Sequence, residues 1–346
     1  MKAPVFTAIT ALLLAAAVGC SAGAGAAAPQ QVTLRLGYFP NITHSQPIVG
    51  LARGTFAQAL GPNVKLDTKT FNAGPSAIEA LFAGAIDATY VGPNPAINGY
   101  TRSDGKALRI VAGATSGGAL FVVRPDRGVN KPADLAGKKI ASPQLGNTQD
   151  VALRAYIKAN GLNTKEDGGN VEVVPTANPD ILTLFRKGDI DGAWVPEPWG
   201  TRLVQEAGGR VFLDERKLWP DGDFVTTHLI VRTELLEKHP HVVEDLVRAN
   251  VETTLWINAN PKEATQLVIS GIRDVTGATL PREQVSAAFQ NLRITYDPIA
   301  PSLRKSAEDA FKLGFLGNKE PDLRNIYALD PLNKVLKEKG LQPVSR

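Results

Sequence analysis

The chain has 346 residues, 43% hydrophobic and 21% charged, which suits two ordinary domains and is too apolar for a disordered chain. Lys and Arg total 38 against 34 Asp and Glu, a net charge of +4 with no basic block, so nucleic acid is not expected as a partner. One cysteine excludes a disulfide framework and a cysteine zinc site within one chain. The four histidines, two of them in His239-Pro240-His241, argue against a His-rich site, so neither a metal nor a cofactor is expected.

Lys2 supplies a short positive segment, and Val5 to Val18 is an uncharged stretch rich in Ala and Leu. It matches a signal-peptide core and falls short of the roughly 20 residues a membrane-spanning helix needs. It ends in Ala17-Val18-Gly19-Cys20, which resembles a bacterial lipobox with Ala17 in place of the usual Leu. The resemblance implies cleavage before Cys20 and lipid on its thiol and new amino group. Residues 1–19 are then a signal peptide. Residues 20–30, small and without a periodic apolar face, form a flexible tether. The alternative is an ordinary secretory signal with an incidental cysteine.

From Val32 the chain alternates strand and helix. Val32 to Tyr38 reads as a strand, 46–60 as one helix closed by Gly61-Pro62, Val64 to Phe71 as a strand, Ser76 to Phe82 as a helix and Ile86 to Val91 as a strand. Ile110 to Ala114 and Ala119 to Val123 are further strands, so the pattern predicts an α/β sheet with parallel pairs.

The segment Phe71 to Val91 then recurs at Pro175 to Val195, at a constant offset of 104. Ala73 falls on Ala177, Pro75 on Pro179, Gly84 on Gly188, Ile86-Asp87 on Ile190-Asp191 and Val91 on Val195, without insertion. This predicts two lobes built on related units: a loop, a helix opened by Pro, a Gly-x-Ile-Asp turn and a strand. Phe224 to Arg232 reads as a strand re-entering the first lobe, and 234–317 as mostly helical. Lobe one is expected over 31–122 and 228–346, lobe two over 123–227, with two crossings near 120–126 and 224–230 as the hinge.

These segments resemble a known family. Leu36-Gly-Tyr-Phe-Pro40, Phe71-Asn-Ala-Gly-Pro-Ser76, Gly84-Ala-Ile-Asp87, Ala133-Asp-Leu-Ala-Gly-Lys138, Pro143-Gln-Leu-Gly-Asn-Thr148 and the Gly188-Asp-Ile-Asp-Gly-Ala-Trp194 run are similar to substrate-binding lipoproteins of bacterial ABC importers, in the nitrate/sulfonate/taurine group. The resemblance implies a two-lobed periplasmic-binding-protein fold of type II with a two-strand hinge. It also implies a small anionic ligand, a permease as partner, an extracytoplasmic location at the membrane and a monomer.

The strand-end loops carry Asn, Thr, Ser, Gln, Gly, Pro and His but neither Lys nor Arg. In open α/β sheets ligands sit at these ends, so an anion would be held by neutral donors and helix N-termini. Helix starts at Gly74-Pro75-Ser76, Gly146-Asn147-Thr148 and Thr43-His44-Ser45 are the candidates; routine capping is the alternative for each. The expected ligand contacts are Phe39, Thr43, His44, Gly74, Pro75, Ser76, Asn94, Ser116, Gly117, Gln144, Gly146, Asn147, Thr148, Glu197, Trp199, Thr227 and His228. His228 donates to the anion or is a hydrogen-bonded core histidine, and His44 is open in the same way. Phe39, Leu145 and Trp199 supply an apolar wall, which favours an organic sulfonate over nitrate or bicarbonate, or Trp199 simply covers the end of the second lobe's sheet. Glu197 pairs with a ligand ammonium, as taurine would present, or points to solvent.

The rival readings are the same fold binding nitrate, bicarbonate or a thiamine-pyrimidine precursor, an enzyme, or a structural surface lipoprotein. The chain contains no Gly-x-Ser-x-Gly, P-loop, His-Glu-x-x-His or Rossmann glycine motif, so it is read as a binder, open when free and closing on its ligand.

Overall fold

β1 (Val32–Tyr38) buries Leu34 and Leu36 on one face of a sheet. The computed structural model describes residues 1–4 and 31–346; the expected tether and Cys20, and most of the signal peptide, lie outside the described residues. After β1 come α1 (Ser45–Ala52), α2 (Thr55–Leu60), β2 (Val64–Thr70), α3 (Gly74–Phe82), β3 (Ala88–Val91), α4 (Pro93–Arg102), β4 (Leu108–Gly117) and β5 (Ala119–Val123). Next are β6 (Lys139–Ser142), α5 (Thr148–Ala159), β7 (Glu172–Pro175), α6 (Asn178–Lys187), β8 (Gly192–Pro196), α7 (Trp199–Ala207) and β9 (Arg210–Asp214). The chain ends with β10 (Val225–Arg232), α8 (Thr233–Lys238), α9 (Pro240–Ala259), α10 (Pro261–Thr276), α11 (Arg282–Phe289), β11 (Leu292–Ile294), α12 (Ala300–Lys312) and α13 (Asp330–Glu338). Among the described residues no helix is long and apolar enough to cross a membrane.

The strands form two sheets, ordered β11-β4-β10-β3-β1-β2 and β7-β6-β8-β5-β9. In each, a parallel trio (β2-β1-β3, then β7-β6-β8) is followed by an antiparallel strand, β10 or β5. This is a two-lobed α/β fold. The 104-residue repeat is the shared trio: α3 and β3 fall on α6 and β8. The shared Gly-x-Ile-Asp turn has a mechanical role. Gly84 and Gly188 take positive φ, +66° and +80°, at the ends of the two helices, where a side chain would be strained. Asp87 donates its N–H to the carbonyl of Arg35 and accepts the N–H of Arg35 on its carboxylate, at 2.8 and 3.0 Å. Asp191 does the same with Lys139, at 2.7 and 2.8 Å. Each aspartate thus locks the register of its strand against the central strand of its parallel trio, β1 or β6.

The run Ala119-Leu-Phe-Val-Val123 reads apolar throughout because both faces of the second sheet are covered. Ala119, Phe121 and Val123 pack with Trp194 on one side, and Leu120 and Val122 with Ile181 and Phe185 on the other. The first lobe's core is larger, because α9 packs on α1, α2, α13 and β4.

Two sequence expectations are corrected. The helix expected over 46–60 breaks at Arg53-Gly54, where the backbone closes on the carbonyls of Val49 and Leu51. The break turns Phe56 fully into the core. The crossings also lie earlier than expected. β4 ends at Gly117 in the first sheet and β5 starts at Ala119 in the second, so the chain leaves at Gly117-Gly118 rather than near 122. It returns before Val225, so Val225 to Thr227 belong to the first sheet rather than to lobe two. The two crossings touch, with the Gly117 N–H donating to the Phe224 carbonyl at 3.1 Å.

Trp194 is fully buried, stacks on Phe121 at 5.3 Å and donates its indole N–H to Glu215 at 2.7 Å. Trp194→Ala should cost about 3–5 kcal/mol, read by urea denaturation. A loss under 1 kcal/mol would mean that this face of the sheet is not packed as described.

Candidate functional site

The N-termini of α1, α3, α4, α5 and α6 gather where the two sheets face each other. Their N-cap residues are His44, Ala73, Gly92, Asn147 and Ala177, and none of the five accepts a side-chain capping bond. Helix starts leave N–H groups without intrahelical partners and carry about half a positive charge. Here they surround a cavity of about 20 Å³ lined by Phe39, Asn41, Thr43, His44, Asn72, Ala73, Gly92, Asn147, Thr148, Gln149, Asn178, Pro196, Thr226 and Thr227. None of these lining residues is Lys, Arg, Asp or Glu.

Three side-chain oxygens on this wall are buried without a hydrogen-bond partner: Oγ1 of Thr148, Oδ1 of Asn178 and Oγ1 of Thr227. Thr227 belongs to the first sheet, Thr148 and Asn178 to the second lobe. Unpaired buried polar groups are costly, so these three oxygens are available to a polar molecule, water included. A Cβ on Gly92 would stand 2.1 Å from Thr148 Oγ1, so glycine is what allows the lobes to approach this closely. His44 accepts the Phe39 N–H on Nδ1 at 3.3 Å and stacks on the Phe39 ring at 4.3 Å. With Nδ1 an acceptor, the neutral ring carries its proton on Nε2 and keeps a free donor. Burial lowers its pKa from 6.5 to about 3, so it is neutral at physiological pH.

The lobes are closed over the cavity. Asn147 Oδ1 accepts the Gly74 N–H at 3.2 Å, Ser76 and Gln144 bond side chain to side chain at 3.0 to 3.1 Å, and the Trp199 indole donates to Asn41 at 3.0 Å.

Of the contacts expected from sequence, Phe39, Thr43, His44, Asn147, Thr148 and Thr227 line the cavity. Gly74, Ser76, Gln144 and Trp199 form the bonds across it, and Pro75 sits in the first turn of α3 beside them. The rest have other structural roles. Asn94 donates to the Ser306 carbonyl, Ser116 to Asp223, and the Gly146 N–H to Asp150. Gly117 is the crossing itself and accepts from Thr226. His228 is a core histidine: its Nε2 meets the Pro298 carbonyl at 2.9 Å, and burial lowers its pKa to about 4. Leu145, expected in an apolar wall, is 60% exposed instead. Glu197 neither faces solvent nor meets the cavity. Its carboxylate is fully buried and accepts from the Thr201 N–H, the Thr201 hydroxyl and Asn291 of the other lobe, at 3.0, 2.8 and 2.7 Å.

Sequence reasoning missed Asn41, Asn72, Ala73, Gly92, Gln149, Asn178, Pro196 and Thr226. The repeat held a signal for one of them. Asn178 falls on Gly74, and each is the first residue of its helix.

The chain belongs to the NMT1-like family, whose model matches residues 27–272. It is 30% identical over 220 residues to the taurine-binding periplasmic protein of Escherichia coli K12, covering 63% of this chain and 65% of that one. The chain thus spans just under two thirds of that relative's length. Among solved structures it is similar to the alkanesulfonate-binding protein of Xanthomonas axonopodis pv. citri bound to MOPS, with TM-score 0.70, 18% identity and coverage of 85% and 97%. The periplasmic nitrate-binding protein of Synechocystis PCC 6803 aligns with TM-score 0.74 and 16% identity over 90% of each chain. The fold is therefore that of the periplasmic binding proteins.

Burial pushes the Glu197 pKa from 4.5 up to about 7, opposed by its three donors. The folded chain holds this proton more tightly than the unfolded one. The group's contribution to stability is therefore full below about pH 4.5 and declines as pH rises to about 7. Glu197→Gln, neutral throughout, should lose less unfolding free energy than the native chain between pH 5 and pH 8 in urea. Parallel pH profiles would show that Glu197 does not titrate in this window.

Proposed function

We propose that the protein is the substrate-binding component of a bacterial ABC importer, taking a small oxyanion between its lobes and delivering it to a membrane permease. The favoured ligand is an aliphatic sulfonate such as taurine or an alkanesulfonate. The observation that carries this reading is the closed cavity, where five uncapped helix starts and two unpartnered threonine hydroxyls from opposite lobes converge without a charged side chain. Such a site stabilises an anion by fixed N–H groups and dipoles. The taurine-binding relative and the sulfonate- and nitrate-binding neighbours support it. The small volume also suits nitrate, which is the second reading. The protein binds rather than turns over its ligand; release of any product from a sulfonate would overturn that.

Calorimetry with taurine, short alkanesulfonates, nitrate, sulfate and bicarbonate tests the ligand class. Thr148→Ala should weaken the bound anion by about 1 kcal/mol, roughly fivefold. Asp87→Asn should leave affinity within about twofold, since its carboxylate serves β1. Unchanged affinity in Thr148→Ala would remove that hydroxyl from the site.

In the same reading Cys20 is the lipid attachment point and holds the protein outside the cytoplasmic membrane. The native protein should take up labelled fatty acid in growing cells, and Cys20→Ser should take up none. Equal labelling of the two would exclude a thioether anchor at Cys20.

A further inference from the structure

The end of α9, the start of α10, α11 and the edge strand β11 enclose a space of about 410 Å³ at the border of the first sheet. It shares no residue with the anion cavity, and its size is in the range of sites for organic molecules. Part of its lining is apolar: Ile257, Ala264 and Ile294 are buried, and Phe289 and Leu292 are half-buried. Three cations also line it, Lys262, Arg282 and Arg293, and no Asp or Glu does. Glu263 and Glu283, the sequence neighbours of two of them, are off the lining.

The protein itself does little to satisfy these three charges. Lys262 is exposed and enters no ion pair or hydrogen bond among the described residues. Arg282 donates to the neutral amide oxygen of Gln266 at 2.9 Å. Arg293 pairs with Asp223 at 2.7 Å, but the two side chains are 52% and 46% exposed, and such a pair holds weakly. Like charges around one space without a carboxylate repel one another, and an anion among them relieves that repulsion.

We infer that this space is a second binding site, for a soluble organic anion that carries its charge on an apolar body, as a phosphate monoester does. The phosphate sits among Lys262, Arg282 and Arg293, and the body covers Phe289 and Leu292. Three cations match a compact group of nearly two negative charges better than the single charge of a lipid phosphodiester. The apolar lining favours an ester over inorganic phosphate, which would leave that lining in water. The site differs in kind from the anion cavity, whose lining holds no charged side chain, and it does not depend on the importer reading.

Calorimetric titration of the full-length protein with phenyl phosphate tests this. Inorganic phosphate supplies the charge without the body, and phenol the body without the charge. Phenyl phosphate should bind about tenfold or more tightly than either, and its affinity should fall as salt rises. The exposed double change Lys262→Gln with Arg282→Gln should weaken it by about fivefold or more. Asp223→Asn, which removes the carboxylate competing for Arg293, should tighten it by about twofold to fivefold. Thr148→Ala, in the anion cavity, should leave it within about twofold, because the two spaces share no residue. No binding of phenyl phosphate, binding no tighter than that of inorganic phosphate, or binding unchanged in the double variant would overturn the site. A loss in Thr148→Ala equal to that in the double variant would place the probe in the anion cavity and overturn it as well.

Discussion

Five helices in this fold begin at one place, and their first N–H groups have no side chain of their own to bond. Much else follows from that constraint. The loops before these helices must be short and small, so they carry Gly, Pro, Asn and Thr. The lobes must be able to meet, so Gly92 faces Thr148 with no room for a Cβ. A fixed lattice of neutral donors suits a ligand that must later leave. It attracts negative charge without the strong pairing and long side-chain entropy of a lysine or arginine. The mild positive charge of the whole chain is incidental to this site.

The site is also kept away from the protein's own titrations. His44 and His228, either of which would add positive charge when protonated, are buried and hold their neutral form to about pH 3 and 4. Glu197 and Glu215, pushed up to about 7 by burial, lie off the cavity wall and are tied to donors of their own. Glu197 links α7 to Asn291 across the lobes, so its state bears on how the lobes meet rather than on the charge seen by a guest.

Much of the fold was legible because a repeated task leaves a repeated pattern. The Gly-x-Ile-Asp turn recurs since each lobe needs a left-handed exit from a helix and an aspartate to fix the next strand. The alternation of strand and helix was plain for the same reason. The crossings were misplaced because the apolar run from Ala119 to Val123 has one periodicity whichever sheet it joins. The helix break at Gly54 was hidden because both halves are apolar on the core side. The cavity proposed as the site was legible in part, with Phe39, Thr43, His44, Asn147, Thr148 and Thr227 on its wall. Glu197 and His228 looked like ligand groups because sequence shows a residue's chemistry and not which way it faces. Gly92 and Asn178 are ordinary residues that matter only through what lies opposite them.

The sheet order also bears on how the chain is built. The second sheet takes all of its strands from Ala119 to Asp214, a continuous stretch that can close as soon as it is made. The first sheet waits, because β10 lies between β3 and β4 and is made only after the whole second lobe. Pairings across such long separations form late and slowly. A chain halted before Val225 would carry a finished second sheet beside a first sheet whose β3 and β4 edges are bare. Bare edges pair with other chains, so copies truncated before Val225 are the ones most prone to aggregate.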